Sequence, residues 1–429
     1  MKGRSAFLSV LLFAVSGFSY VQAQTIRYFS WEPNIAEQTK VLISQFEQAH
    51  PGVKIQYEDD PPAQYWPKMS ALAAAHRLPD VFYMSSGFID QWHSEGLLAD
   101  LSSYASNMDW SKYFTGALPT ARFPHSTTGD LFALPIDWVG TVLYYNKDAF
   151  DKAGLSYPTN NWRWSDFSNA AKQLTVRDGN GKVSQWGFWV YGRYAQIEPW
   201  IYQNDGRILN ANRTRVSLDS NATSALRFLT DLVNVDHVAP PPKLMSGINQ
   251  QDVFPRGLAA MWVDGSWNIA NNRKIAGNMR WGIAMVPQGP DATSPEAYTW
   301  PDMMAMSSSS RNKQIAWEFL KYMTGPARPA NTYLAGTVPF AKSTEQTVLQ
   351  EDQGRQPSNE SMLLELGKLP GTTSFTPGWS EWRGYAASGS GGMNGELDQV
   401  FNGEESLSTA IQKFTSYANQ VLGRTYPNP

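Results

Sequence analysis

Short apolar stretches alternate with helical periodicity in the sequence that follows residue 24, and no other feature narrows the fold as much. Thr25–Ser30 has the length and composition of a strand. Ile35, Thr39, Leu42, Ile43, Phe46 and Ala49 then recur at helical spacing until Pro51 interrupts them. Val53, Ile55 and Tyr57 alternate as a second strand, a helical stretch covers Lys68–His76, and Leu78-Pro79-Asp80 turns into the apolar run Val81–Met84. A β-α-β-α-β order demands a parallel sheet with helices on its faces, so the fold class is α/β. The alternation restarts at Val142–Tyr145, followed by helical patterns at Phe167, Ala170, Ala171 and Leu174 and at Ala222–Val233. It restarts again at Ala259–Val263, Trp281–Val286 and Gln314–Met323, and the chain ends on a helical stretch, Ser408–Leu422. Ser388–Gly392 is a Gly/Ser patch of the kind that links elements.

With 429 residues the chain exceeds what one core commonly supports, and two domains are expected. Lys2 and Arg4, the apolar stretch Ala6–Phe18 and the small-residue pattern Val21-Gln22-Ala23 form a signal peptide over residues 1–23, with the mature protein expected to begin at Gln24. The chain contains no Cys, so neither disulfides nor a lipid-modified cysteine are available, and a free periplasmic protein is expected. Without Lys2 and Arg4 the balance is 33 basic against 38 acidic residues, which argues against a nucleic-acid partner. Aromatic residues make up 13% of the chain and charged residues 17%, so either the cores or a cleft must be rich in indole rings.

Several segments, taken in order, carry a family likeness. They are Tyr65-Trp66-Pro67-Lys68-Met69, Leu78-Pro79-Asp80-Val81-Phe82, Gly96–Leu101, Leu134-Pro135-Ile136, Leu143–Phe150, Ala153-Gly154-Leu155, Ala259-Ala260-Met261, Gly265-Ser266-Trp267, Val286–Pro290 and Ala316–Leu320. Their order and spacing resemble the extracellular solute-binding proteins of ABC importers, in the sugar-binding group that includes maltose-binding protein. The resemblance implies a two-lobed fold with a ligand cleft and a hinge between the lobes. The first lobe is expected over 24–136 plus 287–324 and the second over 137–286 plus 325–429. Leu134-Pro135-Ile136 and Val286-Pro287 are the expected crossings, since Pro cannot donate to a sheet ladder. The family likeness further implies a carbohydrate ligand, the membrane permease subunits of an ABC transporter as partners, and a monomer.

In open α/β sheets ligands sit beyond the carboxyl ends of strands, and a sugar needs flat rings for its apolar faces and polar side chains for its hydroxyls. Trp31 and Glu32 follow the first strand, Ser85 and Ser86 follow Val81–Met84, and Tyr65 opens the helical stretch between them. Asp137 and Trp138 follow the first crossing, where the resembling family commonly places a contact. Tyr191 and Trp200 flank an irregular stretch after Trp186–Val190. Asp264 and Trp267 follow the strand Ala259–Val263 at Gly265, whose lack of a side chain allows close approach of a ligand, whereas Trp262 inside that strand is expected in the core. Trp300 and Asp302, then Trp379 and Arg383, complete the candidates, with a surface ion pair between Arg383 and Glu381 as the alternative role for the last.

No cofactor or metal is expected, because the five histidines are scattered, no Cys exists, and neither a phosphate loop nor a Gly-x-Ser-x-Gly elbow occurs. The expectation is therefore a binding protein and not an enzyme. The alternatives are a secreted glycoside-acting enzyme using carboxylates such as Glu58-Asp59-Asp60, or a carrier of a polyol, polyamine or other small solute.

Overall fold

The computed structural model describes residues 24–426 apart from 114, 124–125, 127, 327, 330–335, 343–353, 370 and 385–391. The expected signal peptide and residues 388–391 of the Gly/Ser patch lie outside the described residues. The first third is the alternation read from the sequence: β1 (Gln24–Ser30), α1 (Ala36–Ala49), β2 (Val53–Asp59), α2 (Pro62–Ala74), β3 (Val81–Ser85) and α3 (Ile89–Ser94). Strand β1 pairs parallel with β2 on one side and with β3 on the other. Helix α1 turns Thr39, Leu42, Ile43 and Phe46 inward, the 3.6-residue stripe that an amphipathic helix buries.

After the short strands β4 (Arg122–Phe123) and β5 (Asp130–Leu131) comes β6, a 14-residue strand from Ala133 to Asn146. The sequence suggested a crossing at Leu134–Ile136 and a separate strand at Val142–Tyr145; the structure joins them. Downstream lie α4 (Lys147–Ala153), α5 (Trp164–Leu174), β7 (Val176–Arg177), β8 (Val183–Trp189), α6 (Tyr194–Tyr202), α7 (Ser220–Asn234), β9 (Ala259–Gly265), α8 (Asn268–Ile275), β10 (Trp281–Ala284), β11 (Thr299–Met306), α9 (Lys313–Thr324) and β12 (Val338–Pro339). Among the described residues the helices Met362–Leu366, Trp379–Arg383, Gly392–Phe401 and Leu407–Gly423 follow.

The strand order is β2-β1-β3-β11-β6-β9-β8-β7, with β10 and β12 also on β6. Residues Ala133–Gly140 of β6 pair with β11, and Thr141–Tyr145 pair with β9. One strand therefore serves two cores. The first core gathers side chains between Ile26 and Ile136, then Met303–Met306 and the buried face of α9. The second gathers Val139, Leu143, the buried faces of α5–α7, Tyr298, Trp300 and the helices from residue 379 on, while Val142, Tyr144, Trp189, Trp262 and Trp281 form a further cluster beside it. On β11 the chain changes core between Trp300 and Met303, at the register shift beside Asp302. Val286, at the expected second crossing, packs in the second core. The shift has a local cause. Pro135 offers no N–H to the ladder, and Asp302 faces Asp137 while Met303 already faces Pro135, which leaves Ile136 as the extra residue of a bulge.

Candidate functional site

A cleft of 1290 Å3 runs between the two cores, with aromatic rings on both walls. Trp31, Trp66 and Phe88 come from the first core; Tyr194, Trp267, Trp300 and Trp379 come from the second, and Tyr191 from a cluster around Trp189 and Trp262. Each group is placed by a strand end or the turn after it. At the end of β1 the Ser30 hydroxyl accepts the N–H of Glu32 at 3.1 Å, which turns the chain sharply and leaves Trp31 and Glu32 on the cleft wall. Trp31 is held from behind: Tyr65 meets it edge-on at 5.3 Å and Tyr83 at 5.0 Å. Tyr65 itself is 1% exposed and donates its hydroxyl to the Tyr83 carbonyl at 2.7 Å, so it supports the wall without lining it. Beside it Trp66 stacks on Phe88 at 4.0 Å. Ser85 both lines the cleft and accepts the N–H of Gly87 as the cap of a short turn, while Ser86 is buried outside the lining.

On the second wall the turn after β9 works differently from the sequence expectation. Asp264 is fully buried, accepts N–H groups from Gly265 at 2.7 Å and Gln196 at 3.1 Å, and pairs with Arg193 at 3.5 Å. Burial pushes its carboxyl above the ordinary range, and Arg193 and these hydrogen bonds oppose the rise. Its role is to brace the turn. Gly265 admits not a ligand but the Trp267 ring, which occupies the space a Cβ would need. Trp267 thereby lies flat along the wall, 5.4 Å from Trp300, with the Arg193 guanidinium 5.7 Å from its ring centre. Trp262 sits in the core, stacked on Tyr144 at 5.4 Å.

Three sequence candidates leave the site altogether. Trp200 is fully buried among Phe167, Phe188 and Phe228, because every residue of α6 is packed inside the second core. Trp138 lies on the opposite face of β6 from Asp137, as the two-residue period requires, and packs against Gly367. Arg383 is neither at the surface nor in the cleft: it is buried, with Nε 3.3 Å from Glu198 and its guanidinium against the Met393 sulfur. Glu381 instead pairs with Arg424 at 2.8 Å. Sequence reasoning in turn passed over Trp66, Phe88, Arg193, Tyr194 and Asp398. Arg193 had a signal, being the one cation in the irregular stretch after β8, where strand-end logic already pointed.

Glu32 and Asp302 line the cleft floor, and the buried Asp137 acts on both from behind the lining. Asp137 and Asp302 are directly paired across β6 and β11 and so share a face, and Val139, two residues on from Asp137, lines the cleft on that face. Glu32 is pushed up to about 8 by burial and by Asp137, against the charge of Arg328. Asp137 is pushed up to about 7 by burial, opposed by Arg328 and a hydrogen bond with Thr337. Asp302 stands well above the carboxylate range through burial and its two acidic neighbours. Glu32 and Asp302 keep some surface open to the cleft, but protein surrounds each carboxyl. Such a floor accepts hydrogen bonds while the walls offer ring faces, which together suit a polyhydroxylated ligand with apolar faces.

Residues 31–328 match the bacterial extracellular solute-binding protein family. A solved ABC substrate-binding protein from Listeria monocytogenes, in complex with cycloalternan, is 24% identical and superposes over 94% of this chain and 100% of that one with a TM-score of 0.79. The erythritol/L-threitol-binding protein of Mycolicibacterium smegmatis is 26% identical over 365 residues, 78% of this chain and 72% of that protein. The sn-glycerol-3-phosphate-binding periplasmic protein of Escherichia coli is 23% identical over 327 residues, 70% of this chain and 69% of that protein. The likeness fixes the two-lobed α/β fold, and the family match covers most of the chain: this protein belongs to the bacterial extracellular solute-binding proteins.

Proposed function

We propose that the protein captures a carbohydrate in the cleft and delivers it, unaltered, to the membrane permease of an ABC importer. The observation that carries this reading is the pairing of two aromatic walls, one from each core, over a floor of hydrogen-bond acceptors. Ring faces stack on the C–H faces of a sugar, and carboxylates accept its hydroxyl protons. Solved relatives named for cycloalternan, mannotriose and mannobiose point the same way. Two others are named for a four-carbon polyol and for glycerol phosphate. The acidic floor disfavours a phosphate, since like charges repel most strongly where water is excluded. The first core, with residues 24–136 and Met303–Met323, is read as one lobe and the second core as the other, closing about β6 and β11 as a monomer around its ligand.

Calorimetry of the mature protein against neutral sugars, amino sugars, polyols and glycerol 3-phosphate, with chromatography of the recovered ligand, tests the reading. Saturable binding of a sugar recovered intact supports it. A cleaved product makes the protein a glycoside-acting enzyme, and binding confined to glycerol phosphate or a polyol replaces the ligand class. Scattering with and without the bound sugar should show a smaller radius of gyration in the complex.

A further inference from the structure

The cleft floor crowds three carboxyl groups around one arginine, and burial and mutual repulsion make them retain protons in part near neutral pH unless a further cation joins them. Glu32 comes from the end of β1, Asp137 from β6 and Asp302 from β11, three segments far apart in sequence. Like charges placed directly opposite on paired strands cost stability, and Asp137 with Asp302 is such a pair. Asp137 is 6% exposed, and its Oδ1 has no hydrogen-bond partner although it lies on the face of β6 that carries Val139 to the cleft. The cation acting on Glu32 and Asp137 is Arg328, one positive charge against three carboxylates. The cations among the cleft-lining residues are committed elsewhere. Arg193 is paired with Asp264 at 3.5 Å, and Lys413 is held by Glu405 at 2.5 Å and Glu396 at 3.6 Å. Closing the lobes over a neutral ligand keeps these carboxyls protonated, whereas a bound cation compensates their ionised form where an unpaired ion is most costly.

We propose that the sugar captured here carries a protonated amine, seated on Glu32, Asp137 and Asp302 and covered by the Trp31 and Trp300 rings. The inference rests on the carbohydrate reading above and narrows it to an amino sugar or an oligosaccharide containing one. An ammonium donates up to three hydrogen bonds, so it satisfies the open Asp137 oxygen and offsets the repulsion between the paired aspartates in one step. Indole faces attract cations, and the wall already holds one guanidinium over Trp267. A metal ion is the rival occupant, but among the described residues no group of three or more His, Cys, Asp or Glu is arranged to hold one.

The titratable groups facing this floor are the three carboxyls, Arg328, and the phenols of Tyr28 on β1, Tyr57 on β2 and Tyr83 on β3, all raised and therefore neutral near pH 7. Protons compete with the amine as the pH falls, because the carboxyls stand above their ordinary range. The test is calorimetry of the full mature protein with matched pairs sharing one skeleton: glucose and glucosamine, galactose and galactosamine, mannose and mannosamine, and maltotriose beside the glucosamine trimer. At pH 7.5 an amino member should bind about tenfold or more tightly than its hydroxyl counterpart, the size of a desolvated charge contact. The preference should shrink at pH 5. Asp302→Asn should bring it close to unity, with Glu32→Gln as the second variant should the first fail to fold. Equal or tighter binding of the neutral members overturns the amine and leaves the carbohydrate reading standing. Failure of every sugar of either kind, in a protein with a native melting transition, overturns both.

Discussion

Two groups of buried charge in this molecule are built on opposite plans. In the second core Glu198 and Arg383 are both fully buried, and Glu198 also accepts from Tyr202 at 2.9 Å and Ser374 at 2.8 Å. A cation, a hydroxyl from the same helix and a hydroxyl from a distant segment answer its charge. At the cleft floor three acids meet one arginine, and an aspartate oxygen stays without a partner. The carboxylate of the first arrangement is answered within the protein, although Arg383 Nε and Nη2 form no hydrogen bond. The acids of the second outnumber their cation beside a cleft, and that excess is what marks a binding site against a structural ion pair.

The contrast is broken or sharpened first by removing one member of each group. Glu198→Ala leaves Arg383 buried and uncompensated and should cost about 3–5 kcal/mol of unfolding free energy, read by denaturant titration. Glu32→Gln relieves repulsion and should leave the unliganded protein at least as stable as wild type. Equal losses in the two variants would erase the distinction between them. The same test applies to two indoles on either side of the β9 exit. Trp262→Ala opens a cavity against Tyr144 and Phe254 and should cost about 3–5 kcal/mol of stability, with affinity per folded molecule little changed. Trp267→Ala should weaken ligand binding by about 2 kcal/mol, close to thirtyfold, while the unliganded melting temperature moves far less.

The pH dependence is a smaller effect with a definite sign. The floor carboxyls hold protons more tightly folded than unfolded, so their contribution is most favourable below the unfolded pKa, near 4 to 4.5. It is lost as pH rises through the folded values, about 7 for Asp137 and 8 for Glu32. Unliganded stability should therefore fall between pH 5 and pH 8.5 by on the order of 2 kcal/mol, discounted for the parts of Glu32 and Asp302 that remain open to solvent. Asp302→Asn should flatten that slope. Smallest of all is Arg280→Ala at the surface. Arg280 bridges Asp148 and Asp151 at 2.6 Å each, yet exposure to water and salt should leave the melting temperature where it was.

The parallel start of the fold and the strand-end positions of Trp31, Glu32, Ser85 and Trp267 could be read from sequence, because they depend on neighbours a few residues away. Failures came where the decisive partner is remote. Arg383 gains its meaning from Glu198, Tyr65 from Tyr83, and Trp200 from an aromatic cluster contributed by α5, β8 and α7. Asp137 and Trp138 look like one binding pair in sequence, but adjacent strand residues point to opposite faces. The continuity of β6 was hidden because Pro135 and Asp137 interrupt its apolar pattern, and only pairing with β11 shows that they lie inside a strand.

That pairing also sets a clock on synthesis. Strand β3 pairs antiparallel with β11, and the same β11 separates it from β6. Until residue 306 has left the ribosome, neither core has its joining strand, and the first sheet presents an open apolar edge. Translation at about 5–20 residues per second keeps the chain in that unfinished condition for much of its synthesis. A polypeptide whose keystone arrives so late remains threadable through a membrane pore while most of it is already made.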